Sequence, residues 1–139
     1  MKYIFSIALF LSCLCSHSQV KFEKIGLNEA LEKALASGKI VFAQFESQNC
    51  EECNEVANRG FDDPELGKIV AQRCVAIKID VQSNDRAEFT RRFPAVATMG
   101  TYFILGSGEL LHRYTRTTSR ASAYVTEIEV AFTKCRKGW

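Results

Sequence analysis

The sequence is short of several things that would otherwise direct its reading. Histidine is scarce: the chain has 139 residues and two histidines. Once an N-terminal leader is set aside only His112 remains, so a Cys/His zinc site would have to gather ligands from far apart. There is one C-x-x-C and no second, which argues further against structural zinc. Neither charge is in excess, with 18 Lys and Arg against 16 Asp and Glu. Nothing therefore points to nucleic acid or to an anionic membrane surface. No repeat, low-complexity stretch or linker interrupts the chain. The one long apolar run, Tyr3 to Leu14, is too short to span a membrane.

That run has the form of a secretory signal. Met1-Lys2 supplies a positive start, and Ser16-His17-Ser18-Gln19 supplies small and polar residues suited to cleavage. We read residues 1–19 as the leader and 20–139 as one compact domain. A lipoprotein signal is the competing reading, because Leu11-Ser12-Cys13 places a small residue before a cysteine. The segment before Cys13 is short for that, and Phe10 stands where such signals usually carry Leu. Removal of the leader leaves no stable membrane insertion. It also reduces six cysteines to four, Cys50, Cys53, Cys74 and Cys135, and export places them in an oxidising compartment.

Periodicity then lays out the elements. Leu27 to Ser37 reads as an amphipathic helix, with Leu27, Ala30, Leu31, Ala34 and Leu35 on one face, Asn28 as N-cap and Gly38 past its end. Ile40 to Phe45 is a continuous apolar run, the mark of a strand covered on both faces. A helix should follow from about Cys50 to about Arg59. Asp63-Pro64-Glu65 reads as N-cap, proline at the first helical position and an acid in the first turn, opening a helix that ends near Arg73. Cys74 to Asp80 is a second strand. Ser83-Asn84-Asp85 can cap a helix carrying Ala87, Phe89 and Phe93. Thr101 to Leu105 and Glu109 to Tyr114 form a hairpin around Gly106-Ser107-Gly108. A last helix begins near Ser119, carries Ala121, Val125, Ile128, Phe132 and Cys135 on one face, and stops before Gly138. Strands alternating with helices imply parallel pairing, with the final hairpin as an antiparallel edge. The expected product is a three-layer α/β/α sandwich on a central mixed sheet.

In that frame Cys50-Glu51-Glu52-Cys53 lies at the carboxyl end of a central strand, where open α/β sheets place their sites. Two cysteines three apart can close into a disulfide or open into a dithiol. At a helix N-terminus the first sulfur is favoured as thiolate. This is the setting for thiol–disulfide exchange. The alternatives are a permanently closed structural disulfide and metal capture by the dithiol.

From about Leu27 to Cys135 the chain resembles the thioredoxin-like fold family, in particular exported bacterial thioredoxin-related proteins. The features that carry the resemblance are the apolar strand leading into Cys50-x-x-Cys53, Phe61-Asp62-Asp63-Pro64-Glu65, the strand ending in Ile79-Asp80, and the Gly108-Glu109 hairpin. The resemblance implies a periplasmic thiol–disulfide oxidoreductase, monomeric, with Cys50 as attacking thiolate and more exposed sulfur, and Cys53 as resolving thiol. Its partners would be protein disulfide substrates and a thiol electron donor, with no bound cofactor and no metal. The competing expectation is a binding module of the same fold, holding a polypeptide or a soft metal ion with little turnover.

Three positions depart from the family pattern. Asn49 stands where Trp usually precedes the first cysteine, and as a good N-cap it preserves helix initiation. Gln44 replaces a buried carboxylate, leaving Glu46, Glu51 or water to move the resolving proton. Gly100 takes the place of a cis-proline, Pro94 being six residues too early, so Met99–Gly100 is expected to be trans. Glu51 and Glu52 disfavour a neighbouring thiolate, which tilts the pair toward the reducing side.

The other polar and thiol positions carry less. Cys74 starts a strand and Cys135 ends the last helix, both toward the pole opposite Cys50. They read either as two free thiols or as a disulfide. His112 reads as a surface residue, Arg113, Arg116 and Arg120 as a solvated edge, and Asp80 as a strand-end cap.

Overall fold

The computed structural model describes residues 19–93 and 99–137. Residues 1–18 of the expected leader, with Cys13 and Cys15, and also Pro94 and Gly138, lie outside the described residues. The elements run α1 (Leu27–Ser37), β1 (Ile40–Phe45), α2 (Glu51–Phe61), α3 (Pro64–Arg73), β2 (Cys74–Ile79), α4 (Arg86–Arg92), β3 (Gly100–Ile104), β4 (Leu110–Tyr114) and α5 (Ala121–Lys137). This is the order read from periodicity. The sheet order is β2-β1-β3-β4. β1 pairs in parallel with β2 and antiparallel with β3, and β3 and β4 close the hairpin.

β1 is buried along its whole length, which is why its six residues read as an unbroken apolar run with one exception, Gln44. Val41, Ala43 and Phe45 pack with α1 and α4 on one face. Ile40 and Phe42 pack with α2, α3 and α5 on the other. The result is a three-layer α/β/α sandwich with two cores. Phe42 lies among the rings of Phe22, Phe61 and Phe103, with centroids 6.2, 5.9 and 5.5 Å away. Phe89 stacks on Phe45 at 5.1 Å and meets Tyr102 edge-on at 4.9 Å. Such ring pairs stabilise by about 0.5–1.5 kcal/mol beyond the area they bury. The N-terminal segment joins the second core through Val20 and Phe22.

The helix ends correct several expectations. α1 is capped by tertiary contact: Gly26 is its N-cap without a side-chain bond, and Leu27 N–H donates instead to Asp85 Oδ2 at 2.9 Å. Asn28, expected as cap, accepts from Arg92. Asp85 is thereby drawn away from its own helix, and α4 begins without a side-chain cap bond. α3 starts as expected, with Asp63 Oδ1 accepting from Leu66 N–H at 2.9 Å and Pro64 in the first turn. Gly38 and Gly108 are the described residues with positive φ, at 68° and 95°. One closes α1 and the other turns the hairpin.

Gly100 is required for a different reason. It pairs with Phe45 at the carboxyl end of β1, where β4 passes very close. A β carbon at position 100 would lie 2.8 Å from the Tyr114 carbonyl oxygen and 3.3 Å from Thr115 Cα. Backbone cannot swing aside as a side-chain tip can, so any residue with a Cβ, proline included, is excluded without moving β4. The described backbone holds no cis peptide bond, so Met99–Gly100 is trans. Gly100→Ala should destabilise the domain by about 1–3 kcal/mol through overpacking against β4. A urea titration of both proteins measures this, and an unchanged midpoint would contradict the close approach.

Candidate functional site

α2 begins where the chain leaves β1, and the residue that caps it is Cys50. Its Sγ accepts a hydrogen bond from Cys53 N–H at 3.2 Å. The expectation that Asn49 starts the helix is corrected here: Asn49 lies one residue too early, and its N–H donates to Ser47 Oγ at 3.1 Å. Cys50 and Cys53 are joined as a disulfide with their Cα atoms 5.2 Å apart. Both are half-buried, while Glu51 and Glu52 beside them are exposed. The Cys53 amide is one of the N-terminal N–H groups that a helix cannot satisfy internally. A donor so placed, with the helix dipole acting in the same sense, favours negative charge at that sulfur.

Beneath α2 lies a polar layer that sequence reading found only in part. Gln44 is 2 % exposed and its Oε1 accepts from Thr101 Oγ1 at 2.5 Å. The two are direct cross-strand partners on β1 and β3. On the other side of Gln44, Lys78 of β2 is its register partner. Lys78 Nζ donates to Asn58 Oδ1 at 2.9 Å and lies 3.7 Å from Glu46 Oε1 and 4.6 Å from the Phe22 ring. The position of the usual buried carboxylate therefore carries a neutral hydrogen-bonded pair, and the carboxylate that meets Lys78 is Glu46, two residues on and just past the end of β1. A recess of about 410 Å³ borders this layer, lined by Glu46, Ser47, Glu51, Asn54 and Asn58 among others. Asn54, at 8 % exposure, is buried under the loop that precedes Cys50. One of these residues left a signal in the sequence: Lys78 interrupts an apolar strand. Thr101 is placed opposite Gln44 only by the strand register.

The remaining expectations divide. Asp80 caps the end of β2, its Oδ1 accepting from Gln82 N–H at 2.9 Å. Arg113, Arg116 and Arg120 are exposed, as expected of a solvated edge. His112 is not a free surface residue: it sits between Glu127 and Lys134 and stacks on Phe103, tying β4 to α5. That corrects its reading, since α5 covers the strand that the hairpin pattern alone leaves open. Cys74 and Cys135 are separate thiols. Cys74 is packed into the core on the α3 side, whereas Cys135 faces an apolar groove lined by Leu35, Ile40, Leu105 and Phe132. Among the described residues, no group of three or more His, Cys, Asp or Glu converges to hold a metal ion. No described helix is long and apolar enough to cross a membrane.

A thioredoxin-like family model matches residues 22–101. Three solved structures share the architecture. A thioredoxin from Thermus thermophilus is 23% identical, covers 87% of this chain and 95% of its own, and superposes with a TM-score of 0.67. A candidate disulphide-isomerase from Bacteroides thetaiotaomicron is 20% identical, covers 83% and 94%, and also scores 0.67. A DsbH oxidoreductase is 16% identical, covers 84% and 88%, and scores 0.66. At these identities the likeness is one of fold. No curated protein matches the sequence.

Burial pushes the Cys74 thiol from the ordinary 9.0 to about 12, against the smaller opposing pull of Arg73 and Lys39. Two outcomes are expected. In the reduced native protein at pH 8, iodoacetamide should leave Cys74 unmodified until denaturant is added, as peptide mass spectrometry will register. A thiol that ionises more readily unfolded than folded withdraws stability as pH rises from 9.0 toward about 12. Tyr124, also pushed up by burial, acts in the same direction. Denaturation midpoints should fall across that window, and fall less in Cys74→Ala.

Proposed function

The chain belongs to the thioredoxin-like family, and on that premise we propose that it is an exported thiol–disulfide oxidoreductase acting through Cys50 and Cys53. The observation that carries the reading is the disulfide itself: its first sulfur caps α2 and accepts the Cys53 N–H. A purely structural staple has no need of that placement, whereas a thiolate does.

In the reduced enzyme the Cys50 thiolate attacks one sulfur of a substrate disulfide. The S–S bond breaks, one substrate thiolate leaves and takes a proton, and a mixed disulfide forms on Cys50. Cys53 then loses its proton and attacks Cys50 Sγ, closing the intramolecular disulfide and releasing the second substrate thiol. The substrate gains two electrons and the enzyme loses two. A dithiol partner restores the enzyme by the reverse exchange, so no bound cofactor enters the cycle.

The exposed Glu51 and Glu52 place like charge beside Cys50, which disfavours its thiolate and puts the pair on the reducing side. Because Gln44 and Thr101 form a neutral pair, neither can take up the resolving proton. It goes to Glu46, Glu51 or water. The leader read over residues 1–19 supports export to the periplasm, where a monomer would meet protein substrates one at a time.

Insulin reduction by the purified domain tests the reading. Wild type should turn over and Cys50→Ser should not. Absence of turnover in both, with stoichiometric copper or zinc bound by the wild type, would overturn it in favour of a binding module. The direction is checked by equilibrium with glutathione: a strongly oxidising potential would contradict the effect ascribed to the two glutamates. In Cys53→Ser, the protein trapped on Cys50 identifies the client.

A further inference from the structure

We infer that Asn54 is the positioning residue of the disulfide site, holding the loop that delivers Cys50 to the N-terminus of α2. The inference rests on the reading of Cys50 and Cys53 as the exchanging pair.

Asn54 follows Cys53 in the helix, but its side chain turns back to the loop before Cys50. Ser47 N–H donates to Asn54 Oδ1 at 2.9 Å, and Asn54 Nδ2 donates to the Ser47 carbonyl at 2.9 Å. One primary amide thus meets both backbone groups of a single residue, as a neighbouring strand would. Few side chains can do this. A carboxylate has no donor for the carbonyl, and Ala has neither partner.

The hydrogen bonds continue in a closed path. Ser47 Oγ accepts from Asn49 N–H at 3.1 Å. Cys50 follows, its carbonyl accepting from Asn54 N–H at 3.2 Å and its Sγ from Cys53 N–H at 3.2 Å. Asn54 therefore closes a ring through Ser47, Asn49 and Cys50 back to its own amide. The upstream end of the loop is held separately, by Arg86 Nη1 donating to the Glu46 carbonyl at 2.7 Å. Between that anchor and the helix, the Asn54 amide is the side chain that grips Ser47. Ser47 is half-buried and Gln48 and Asn49 are exposed, so little packing would replace it.

Without this grip the loop from Ser47 to Asn49 gains freedom, and Cys50 no longer presents its sulfur steadily to the Cys53 N–H. The thiolate loses an oriented donor, so its pKa rises and its attack slows. A buried amide that only stabilised the fold would lower the melting temperature and leave the chemistry of a folded molecule untouched.

The test uses the whole mature chain as wild type, Asn54→Ala and the near-isosteric, uncharged Asn54→Leu. For each, the rate of iodoacetamide alkylation at Cys50 is measured against pH, together with the glutathione equilibrium, insulin turnover and melting temperature. Both variants should show an alkylation midpoint moved to higher pH, a shifted glutathione equilibrium and turnover reduced about tenfold. Wild-type midpoint and equilibrium in folded variants that merely melt earlier would overturn the proposal. If neither variant folds, Asn54→Gln serves, since it carries the same amide one methylene farther out and so cannot hold both Ser47 bonds in place. A smaller midpoint shift in the same direction supports the proposal, and no shift overturns it. A wild type that reduces no disulfide would defeat the proposed function alone, because the alkylation midpoint still reports on the hold over Cys50.

Discussion

Burial of β1 on both faces is the constraint from which the rest of the domain follows. A six-residue strand with no wet side must be paired along both edges and covered by helices above and below. β2 and β3 supply the edges, α1 and α4 one cover, and α2, α3 and α5 the other. The chain leaving Phe45 then has one way out, at the carboxyl end of the sheet, and it turns there into α2. The disulfide sits at that turn. Its position is a consequence of how the core is covered, and its chemistry is a consequence of its position.

The site departs from a thioredoxin-like pattern in a coordinated way. Gln44 occupies the place of a buried acid, and its partner Thr101 satisfies its carbonyl oxygen by a hydrogen bond without any charge. Lys78, next across the sheet, would be an unpaired, half-buried cation beside that neutral pair. It is instead satisfied from above by Asn58 and by Glu46 at the strand end. Gly100 has a similar logic. The same close approach of β4 that excludes a Cβ there also excludes proline, and the Met99–Gly100 bond is an ordinary trans peptide. Each substitution alone looks like a lost catalytic support. Together they describe a site in which a neutral hydrogen-bonded pair and a trans glycine stand where the family pattern has a charge and a proline ring.

Legibility followed distance along the chain. The nine described elements and their order were readable because a 3.6-residue period, continuous apolar runs, an Asp-Pro-Glu helix start and glycines at element ends are local signals. Cys50 and Cys53 were readable because their spacing and the strand before them lie within a dozen residues. The errors fall where a group was satisfied from afar. Asn28 lost the cap of α1 to Asp85, 58 residues from the amide it bonds. His112 was drawn into a contact with α5. Asn49 lost the cap of α2 to the cysteine itself, a case where geometry at one residue decides.

By itself the sequence determined the fold class, the order of elements and the cysteine pair, because burial patterns and turn chemistry act over one or two turns of chain. It left open whether Cys74 and Cys135 pair, and only tertiary structure decided that they stand in different surroundings. Tertiary structure alone also brought Asn54 back onto Ser47, Thr101 onto Gln44 and β4 onto Gly100. These are contacts between groups whose residue types are unremarkable. Their meaning comes from desolvation and close approach, and those exist only once the layers have packed.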